Sequence, residues 1–217
     1  MKSALRQNIL KVARTLFMEK GFEAVGMRQI AQAVGLQPTQ VYRLELSKAD
    51  ILAEVIIELN NELIQGLPAL LATIGGDNAF ERTSAYLHAL YRFDIEHQPL
   101  RSVGAIYGWS WTVDYETAVI AQVWQFLLPI ANWLRDEGFE DIQARCYGVW
   151  ALYYVGYRRA VLKGCAAGDC LAEIRPSLAL LFDQGKRTCP PSPVAPHAGA
   201  TDSGRPLLNG CQLQGIH

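Results

Sequence analysis

This chain of 217 residues has little net charge and lacks the compact motifs that mark an enzyme or a metal protein. Its formal net charge is −1, and it contains only four histidines. It has no GxSxG, HExxH, phosphate-binding loop or dinucleotide fingerprint, and no acid–base constellation. We therefore predict that the chain is not an enzyme and that it needs no cofactor and no metal.

The sequence also lacks the features that indicate a disulfide framework or a membrane segment. The five cysteines are odd in number and include no CxxC pair, so they resemble neither a disulfide scaffold nor a zinc site. We interpret them as free thiols, although Cys165 and Cys170 leave a thiol-based redox sensor as an alternative. There is no apolar signal-peptide region and no run of about 18 uncharged apolar residues. The expected protein is cytoplasmic and does not contact a membrane.

Apolar residues with helical spacing dominate the sequence, and no segment predicts a strand. The first helix is predicted from Ala4 to Lys20, where Gly21 follows as a stop signal. Ser47 and Asp50 form a capping-box pattern for a helix that is expected to fade near Gly66. Later helices are predicted at about 77–97, 100–113, 115–136, 140–164 and 169–184, with a kink at Pro129. Pro176 either kinks the last helix or follows its start at Arg175. The fold class is all-α.

The stretch from Met27 to Asp50 predicts a helix-turn-helix. A helix over 27–34 ends at Gly35, a short helix follows from Gln37, and the capped helix begins at Ser47. Gly26 is expected at the N-cap of the 27–34 helix, without a side-chain acceptor. Residues 1–52 hold eight Lys/Arg against four acidic residues, whereas the rest of the chain is acidic. This basic end favours a polyanionic partner.

The second helix of the motif begins with side chains that suit DNA. Glutamine can bond the adenine edge, arginine the guanine edge, and threonine a thymine methyl or a phosphate. These residues are Gln37, Thr39, Gln40, Tyr42 and Arg43, with Lys48 nearby as a phosphate contact. By spacing alone, a solvated polar face on an ordinary helical hairpin explains them equally well.

The N-terminal segment, over roughly residues 5–55, resembles the tetracycline-repressor (TetR) family of transcription regulators. The matching marks are Ile9-Leu10, Ala13, Leu16-Phe17, Gly21-Phe22, Ile30-Ala31, Gly35, Tyr42, Ser47-Lys48 and Ile51-Leu52. The resemblance implies a DNA-binding role for Arg28, Gln37, Pro38, Thr39, Gln40, Tyr42, Arg43 and Lys48. The chain departs from the family pattern at Val25, Gly26 and Glu45, and we expect Glu45 to be exposed.

The middle of the chain is rich in aromatic residues, which often line small-molecule sites. The resemblance implies that this part binds an apolar or aromatic effector between helices. Our candidates are Tyr107, Trp109, Trp111, Tyr115 and Trp124, and ordinary helical core is the alternative for each ring. Arg101 is interpreted as a surface residue, with pairing to an anionic effector as the alternative.

Together these features predict a homodimeric repressor that an effector releases from a near-palindromic double-stranded DNA operator. The predicted parts are a DNA-binding domain at 1–48, an effector-binding and dimerisation domain at 49–184, and a disordered tail at 185–217. The resemblance implies a dimer formed by the last two helices. Activation instead of repression, the redox sensor, and a helical dimerisation module that does not bind DNA remain as alternatives.

Overall fold

The computed structural model describes residues 2–37, 39–40 and 46–183, apart from the side chains of Lys2, Ser3 and Trp109. Within these ranges all regular structure is helical, which confirms the all-α prediction. The α-helices are α1 (Lys2–Lys20), α2 (Met27–Ala33), α3 (Lys48–Leu71), α4 (Ala79–Glu96), α5 (Gln98–Tyr107), α6 (Val113–Asp136), α7 (Ile142–Lys163) and α8 (Ala167–Leu181), and a 3₁₀ turn spans Gly108–Ser110. The predicted tail at 185–217 and the environment of Glu45 lie outside the described residues.

The turn signals near the N-terminus act as predicted. Gly21 ends α1 with a φ of +79°, and Phe22 folds back so that its ring centroid lies 5.1 Å from that of Phe17. Gly26 is the N-cap of α2, and its N–H donates to Oε1 of Gln29 at 2.7 Å. Gly35, with a φ of +73°, follows α2 and supplies the left-handed turn that residues with a β-carbon rarely adopt.

The predicted capping box at the start of α3 is confirmed. The Asp50 N–H donates to Oγ of Ser47 at 3.1 Å, and the Ser47 N–H donates to Oδ2 of Asp50 at 2.8 Å. The expected end near Gly66 is wrong, because α3 continues through Pro68 to Leu71. Leu67 is buried in the core, so packing holds the helix together past the hydrogen bond that proline cannot make.

Several later boundaries also differ from the predictions. The helix expected at 100–113 ends at Tyr107 and passes into the 3₁₀ turn, so the break falls at Trp111-Thr112 rather than at Asp114. Pro129 lies inside α6, which continues beyond it as predicted. Pro176 lies inside α8, so a start at Arg175 is wrong.

Buried side chains form two hydrophobic clusters, which we call the head core and the body core, and we call the segments that surround them the head and the body. The head core is built by α1, α2, the first half of α3 and Leu100 of α5, and it comprises Ile9, Leu10, Ala13, Phe17, Phe22, Val25, Ile30, Leu46, Ile51, Leu52, Val55, Ile56, Leu59 and Leu100. The body core lies between the end of α3 and helices α4 and α6–α8, around Tyr86, Tyr91, Leu127, Ile130, Leu134, Cys146, Val149, Ile174 and Leu178. The head core takes residues from both sides of position 48, so a domain boundary there stays a prediction.

Helix α6 is long and apolar enough to cross a membrane by length and composition alone. A single helix of this kind is weak evidence, because core helices of soluble proteins have the same composition. Val119, Ile120, Val123 and Leu127 of α6 line a cavity, so part of its apolar surface faces that cavity.

Candidate functional site

The turn after α2 and the helical residues 39–40 that follow it present polar side chains to solvent, and we call this segment the exposed turn. Gln37, Thr39 and Gln40 are exposed together, and Arg28 is exposed near the start of α2. Oε1 of Gln40 accepts a hydrogen bond from the Gln37 N–H at 2.9 Å, so one of these side chains caps the turn. The other three predicted DNA contacts in this segment, which are Pro38, Tyr42 and Arg43, lie outside the described residues.

Lys48 stands at the first position of α3, beside the loop between α1 and α2. It is half-buried, and its Nζ lies 4.1 Å from the centroid of the Phe22 ring. A cation held over an aromatic face is stabilised by the ring quadrupole. The ammonium of Lys48 is therefore held against the loop between α1 and α2.

A cavity of about 830 Å³ opens inside the body, which is within the usual size range of small-ligand sites. Side chains from α3–α7 and from the segment after α5 line it, and most of them are apolar or aromatic. They include Ile56, Leu63, Leu87, Leu90, Trp111, Val119, Ile120, Val123, Phe126, Leu127, Ile130, Tyr147, Trp150, Tyr153, Tyr154 and Tyr157. This composition suits a ligand with a large apolar part.

A polar cluster interrupts this apolar wall at Asp94 and Arg101. Nε of Arg101 lies 2.9 Å from Oδ1 of Asp94, and the two side chains are only 13% and 14% exposed. Tyr153 donates to Oδ2 of Asp94 at 2.8 Å. Burial raises the pKa of Asp94, although Arg101, Tyr153 and His97 oppose this shift. The interpretation of Arg101 as a surface residue is therefore wrong, since its partner on α4 draws it inside.

Two buried amides connect this cluster to the contact between α3 and α6. Arg101 donates from Nη1 to Oδ1 of Asn60, whose Nδ2 donates to Oε1 of Gln122 at 2.7 Å. Nε2 of Gln122 donates to the Ile57 carbonyl at 2.9 Å and to Oδ1 of Asn61 at 2.7 Å. The wall of the cavity is therefore linked by hydrogen bonds to α3, the helix that follows the exposed turn.

Of the four predicted effector-binding aromatic residues whose side chains the structure describes, only Trp111 lines the cavity. Tyr115 donates to Oε1 of Glu54 at 2.9 Å, and burial, followed by this bond, raises its pKa to about 12. Trp124 packs edge-on against Tyr147 with centroids 5.2 Å apart. The side chain of Trp109 is outside the described residues.

Tyr107, the fourth of these residues, connects the end of α5 to the head. Its hydroxyl donates to Oε1 of Glu23 at 2.6 Å, and its ring meets that of Phe22 edge-on at 5.0 Å. The bond to Glu23 raises the pKa of Tyr107. Gly104 and Gly108, on either side of Tyr107, line the cavity, so this short segment contacts the cavity and the α1–α2 loop at once.

Sequence reasoning missed Asn60, Asp94 and Gln122 as parts of the site. Asn60 offered a signal, because it follows Leu59 and lies four residues after Ile56 on the apolar face of its helix. A buried polar residue on such a face needs a partner. The partner, Gln122, lies 62 residues away in the chain, so only the fold reveals it.

Exposed apolar side chains form a stripe along α7, and one more lies on α8. On α7, Val155 and Leu162 are 53% and 66% exposed, and on α8 Leu180 is 73% exposed. Tyr147 and Tyr154 extend the same stripe of α7. Large exposed apolar surfaces of this kind mark interaction sites.

Titratable groups outside the cavity offer little further chemistry in the part of the chain that is described. There, no cluster of three His, Cys, Asp or Glu side chains is suited to a metal. Cys146, Cys165 and Cys170 are free thiols, and burial raises the pKa of Cys146 and Cys170. A raised thiol pKa lowers the reactive thiolate fraction, which disfavours redox sensing by Cys170.

Residues 9–55, about a fifth of the chain, match the family model described as "Bacterial regulatory proteins, tetR family". The described fold is similar to that of a TetR/AcrR-family regulator from Thermobifida fusca (21% identity, 84% of this chain and 98% of that chain, TM-score 0.58). It is also similar to FadR from Bacillus subtilis, solved in complex with stearoyl-CoA (15% identity, 82% and 97%, TM-score 0.60). A comparison with curated proteins gave no match.

The superantigen PfiT shares the fold as well (21% identity, 82% of this chain and 97% of that chain, TM-score 0.55). At these identities the structural likeness shows the fold alone. The resemblance predicted from the N-terminal residues is confirmed by the family model and by the fold, which is that of TetR-family regulators with an N-terminal helix-turn-helix.

Proposed function

Because the chain carries the tetR-family motif at residues 9–55 within a fold of TetR-family regulators, we propose that it is a ligand-responsive transcription regulator of the cytoplasm. In this proposal a homodimer binds a near-palindromic DNA operator as a repressor. A small apolar or aromatic effector enters the body and releases the DNA. The observation that carries the proposal is that residues 104–111, at the end of α5 and just beyond it, contact both the cavity and the head.

DNA recognition is assigned to the exposed turn and the residues that follow it. Gln37, Thr39 and Gln40 have the donors and acceptors for base edges, and Arg43 has the fork geometry for guanine. Arg28 and Lys48 are assigned to the DNA backbone, with Pro38 and Tyr42 completing the surface. Contacts to phosphates position the protein, and contacts to base edges provide the sequence preference.

The effector is assigned to the cavity, whose size and apolar wall support this role. An effector in the cavity would contact Gly104, Gly108 and Trp111. The same segment holds Tyr107 against Glu23 and Phe22, so the effector can change those contacts. It also meets Asn60 of α3. Release requires the ligand to bind the non-DNA-binding arrangement better, and coupling of about 1–3 kcal/mol is typical.

Dimerisation is assigned to the exposed stripe of α7 and α8. The exposed apolar side chains Val155, Leu162 and Leu180 support this assignment, since a monomer gains nothing from leaving them in water. A two-fold dimer would set the recognition helices about 34–36 Å apart, which is one turn of DNA.

The test begins with selection of an operator from random DNA duplexes by the purified full chain. We expect Arg43→Ala to weaken binding to the selected duplex about 10- to 100-fold, because one good bidentate base contact contributes about 1–3 kcal/mol. The control is Arg92→Ala, which removes an exposed arginine of the body. Affinity should also fall steeply as salt rises.

Sedimentation of each variant checks that the dimer persists. An Arg43→Ala protein that binds as tightly as the parent would contradict the recognition assignment. A parent chain that selects no duplex at low salt would contradict DNA binding itself.

A further inference from the structure

The polar cluster in the cavity has more free hydrogen-bond donors than free acceptors. We propose that the effector is an amphipathic anion, a mostly apolar molecule whose carboxylate, or an equivalent oxygen anion, is bound by Arg101. The inference rests on the proposed function, because it names the chemical class of ligand for the same cavity.

Arg101 uses only part of its donor capacity. A guanidinium has five N–H groups. One of them donates from Nη1 to Oδ1 of Asn60, and Nε lies 2.9 Å from Oδ1 of Asp94 but forms no hydrogen bond. Nη2 donates to none of the described residues. An oxygen anion in the cavity would therefore find unused N–H groups in the fork geometry that carboxylates prefer.

Most acceptors of the same cluster already have donors, and the remaining one, Oδ1 of Asp94, lies 2.9 Å from the Arg101 Nε. Oδ2 of Asp94 accepts from Tyr153 at 2.8 Å, and the Asp94 carbonyl accepts from Tyr157 at 3.2 Å. Oδ1 of Asn60 accepts from Arg101, and Oε1 of Gln122 accepts from Asn60. A ligand that brings donors gains little here, whereas a ligand that brings acceptors completes the cluster.

A second unpaired donor lies on the same wall. Nε1 of Trp111 is buried and has no hydrogen-bond partner among the described residues. Arg101, Gly104, Gly108 and Trp111 all line the cavity at spacings of three, four and three residues, so they follow one side of the segment. Unpaired buried donors are costly, which favours a ligand oxygen as their partner.

The rest of the cavity fits an apolar body attached to that oxygen. Leu63, Leu87, Val123, Phe126 and Ile130 line it, and they offer nothing to a second polar group. Glu116, an exposed lining residue, would repel an anion at its own position. The charged group is therefore assigned to Arg101 and the apolar part to the remaining wall.

Asp94 is the main group that opposes this assignment, because it is a second carboxylate on the same guanidinium. Burial raises the pKa of Asp94, and Arg101, Tyr153 and His97 oppose that shift. Replacing Asp94 by asparagine removes the competing negative charge and should strengthen anion binding. The aromatic side chains and Glu116 would instead favour a lipophilic cation. The experiment must therefore distinguish an anionic ligand from a cationic one.

The experiment compares three ten-carbon probes on the full chain by calorimetry: decanoate, decan-1-ol and decyltrimethylammonium. We expect decanoate to bind at least about tenfold more tightly than decan-1-ol, since hydrogen bonds to charged groups have this magnitude. A parallel pair, 2-naphthoate and 2-naphthalenemethanol, repeats the comparison for an aromatic body.

Variants then assign the preference to Arg101. Arg101→Met combined with Asp94→Asn removes both charges together, so no unpaired buried charge is left to unfold the chain. This double variant should bind decan-1-ol as the parent does and lose the preference for decanoate. Asp94→Asn alone should bind decanoate more tightly than the parent. Circular dichroism checks that each variant is folded.

Equal binding of decanoate and decan-1-ol, tighter binding of the cation, or no binding of either carboxylate at millimolar concentration would overturn the proposal. A preference that survives the double variant would do the same. Operator binding is measured on the same preparations. Intact DNA binding with no carboxylate preference rejects only the ligand class, whereas a carboxylate preference without DNA binding rejects only the regulator.

Discussion

The head and the body are both helical, but the head has a filled core, whereas the body has a cavity beside its core. In the head core, Ile9, Phe17, Ile30 and Leu52 are fully buried. The body surrounds a cavity of about 830 Å³ beside its core. A well-filled core holds an exposed turn in one position, whereas a hollow one has room for a ligand and for movement.

The two regions are not independent, because two helices belong to both. In α3, Leu59 packs in the head core while the next residue, Asn60, lines the cavity. In α5, Leu100 packs in the head core while Arg101 lines the cavity. Neighbouring residues of the same helix thus contact different regions. A shift of either helix would therefore change contacts in both the head core and the cavity wall.

The largest expected effect comes from matched leucine truncations in the two regions. Leu52→Ala in the head core should lower the free energy of unfolding by about 4 kcal/mol, because it leaves a new cavity among fixed neighbours. Leu90→Ala should cost closer to about 2 kcal/mol, since Leu90 already borders open space. Urea denaturation measures both. Equal losses would mean that the cavity wall is packed as tightly as the head.

A smaller effect is expected at the hydrogen-bonded contact between α3 and α6. Asn60→Ala should cost about 1–3 kcal/mol, because it leaves Oε1 of Gln122 and Nη1 of Arg101 without their partner. Asn61→Ala is the control, since Asn61 also bonds Gln122 but is exposed, so water can replace its oxygen. Thermal unfolding of the two variants compares them. A control as unstable as Asn60→Ala would show that burial is not the cause.

The smallest pair of effects has opposite signs. Gly35→Ala should destabilise the head by about 1 kcal/mol, because alanine is strained at a φ of +73° although its β-carbon would meet no atom within 4 Å. Gly66→Ala inside α3, where the space is also open, should stabilise by about 0.5–1 kcal/mol. Chemical denaturation of each variant gives the sign. A stabilising Gly35→Ala would contradict the left-handed turn.

Local features were predictable from the sequence, and long-range partners were not. Two such local features are the capping box of Ser47 and Asp50 and the helix end at Gly21. Each depends on residues no more than four positions apart, so the sequence alone predicts it. The sequence predicts that Tyr107 faces a ligand, yet its hydroxyl donates to Glu23, 84 residues earlier in the chain. Arg101 was interpreted as exposed because nothing local reveals that Asp94 turns inward on the preceding helix.

Three residues of α7 contact both the cavity and the solvent. Tyr147, Ala151 and Tyr154 line the cavity, and they are also exposed on the outer side of the helix. In a dimer formed on that side, a second chain would cover part of the cavity's rim. Occupancy of the cavity and self-association would then be thermodynamically linked, so the apparent affinity for the effector would vary with the amount of protein in the cell.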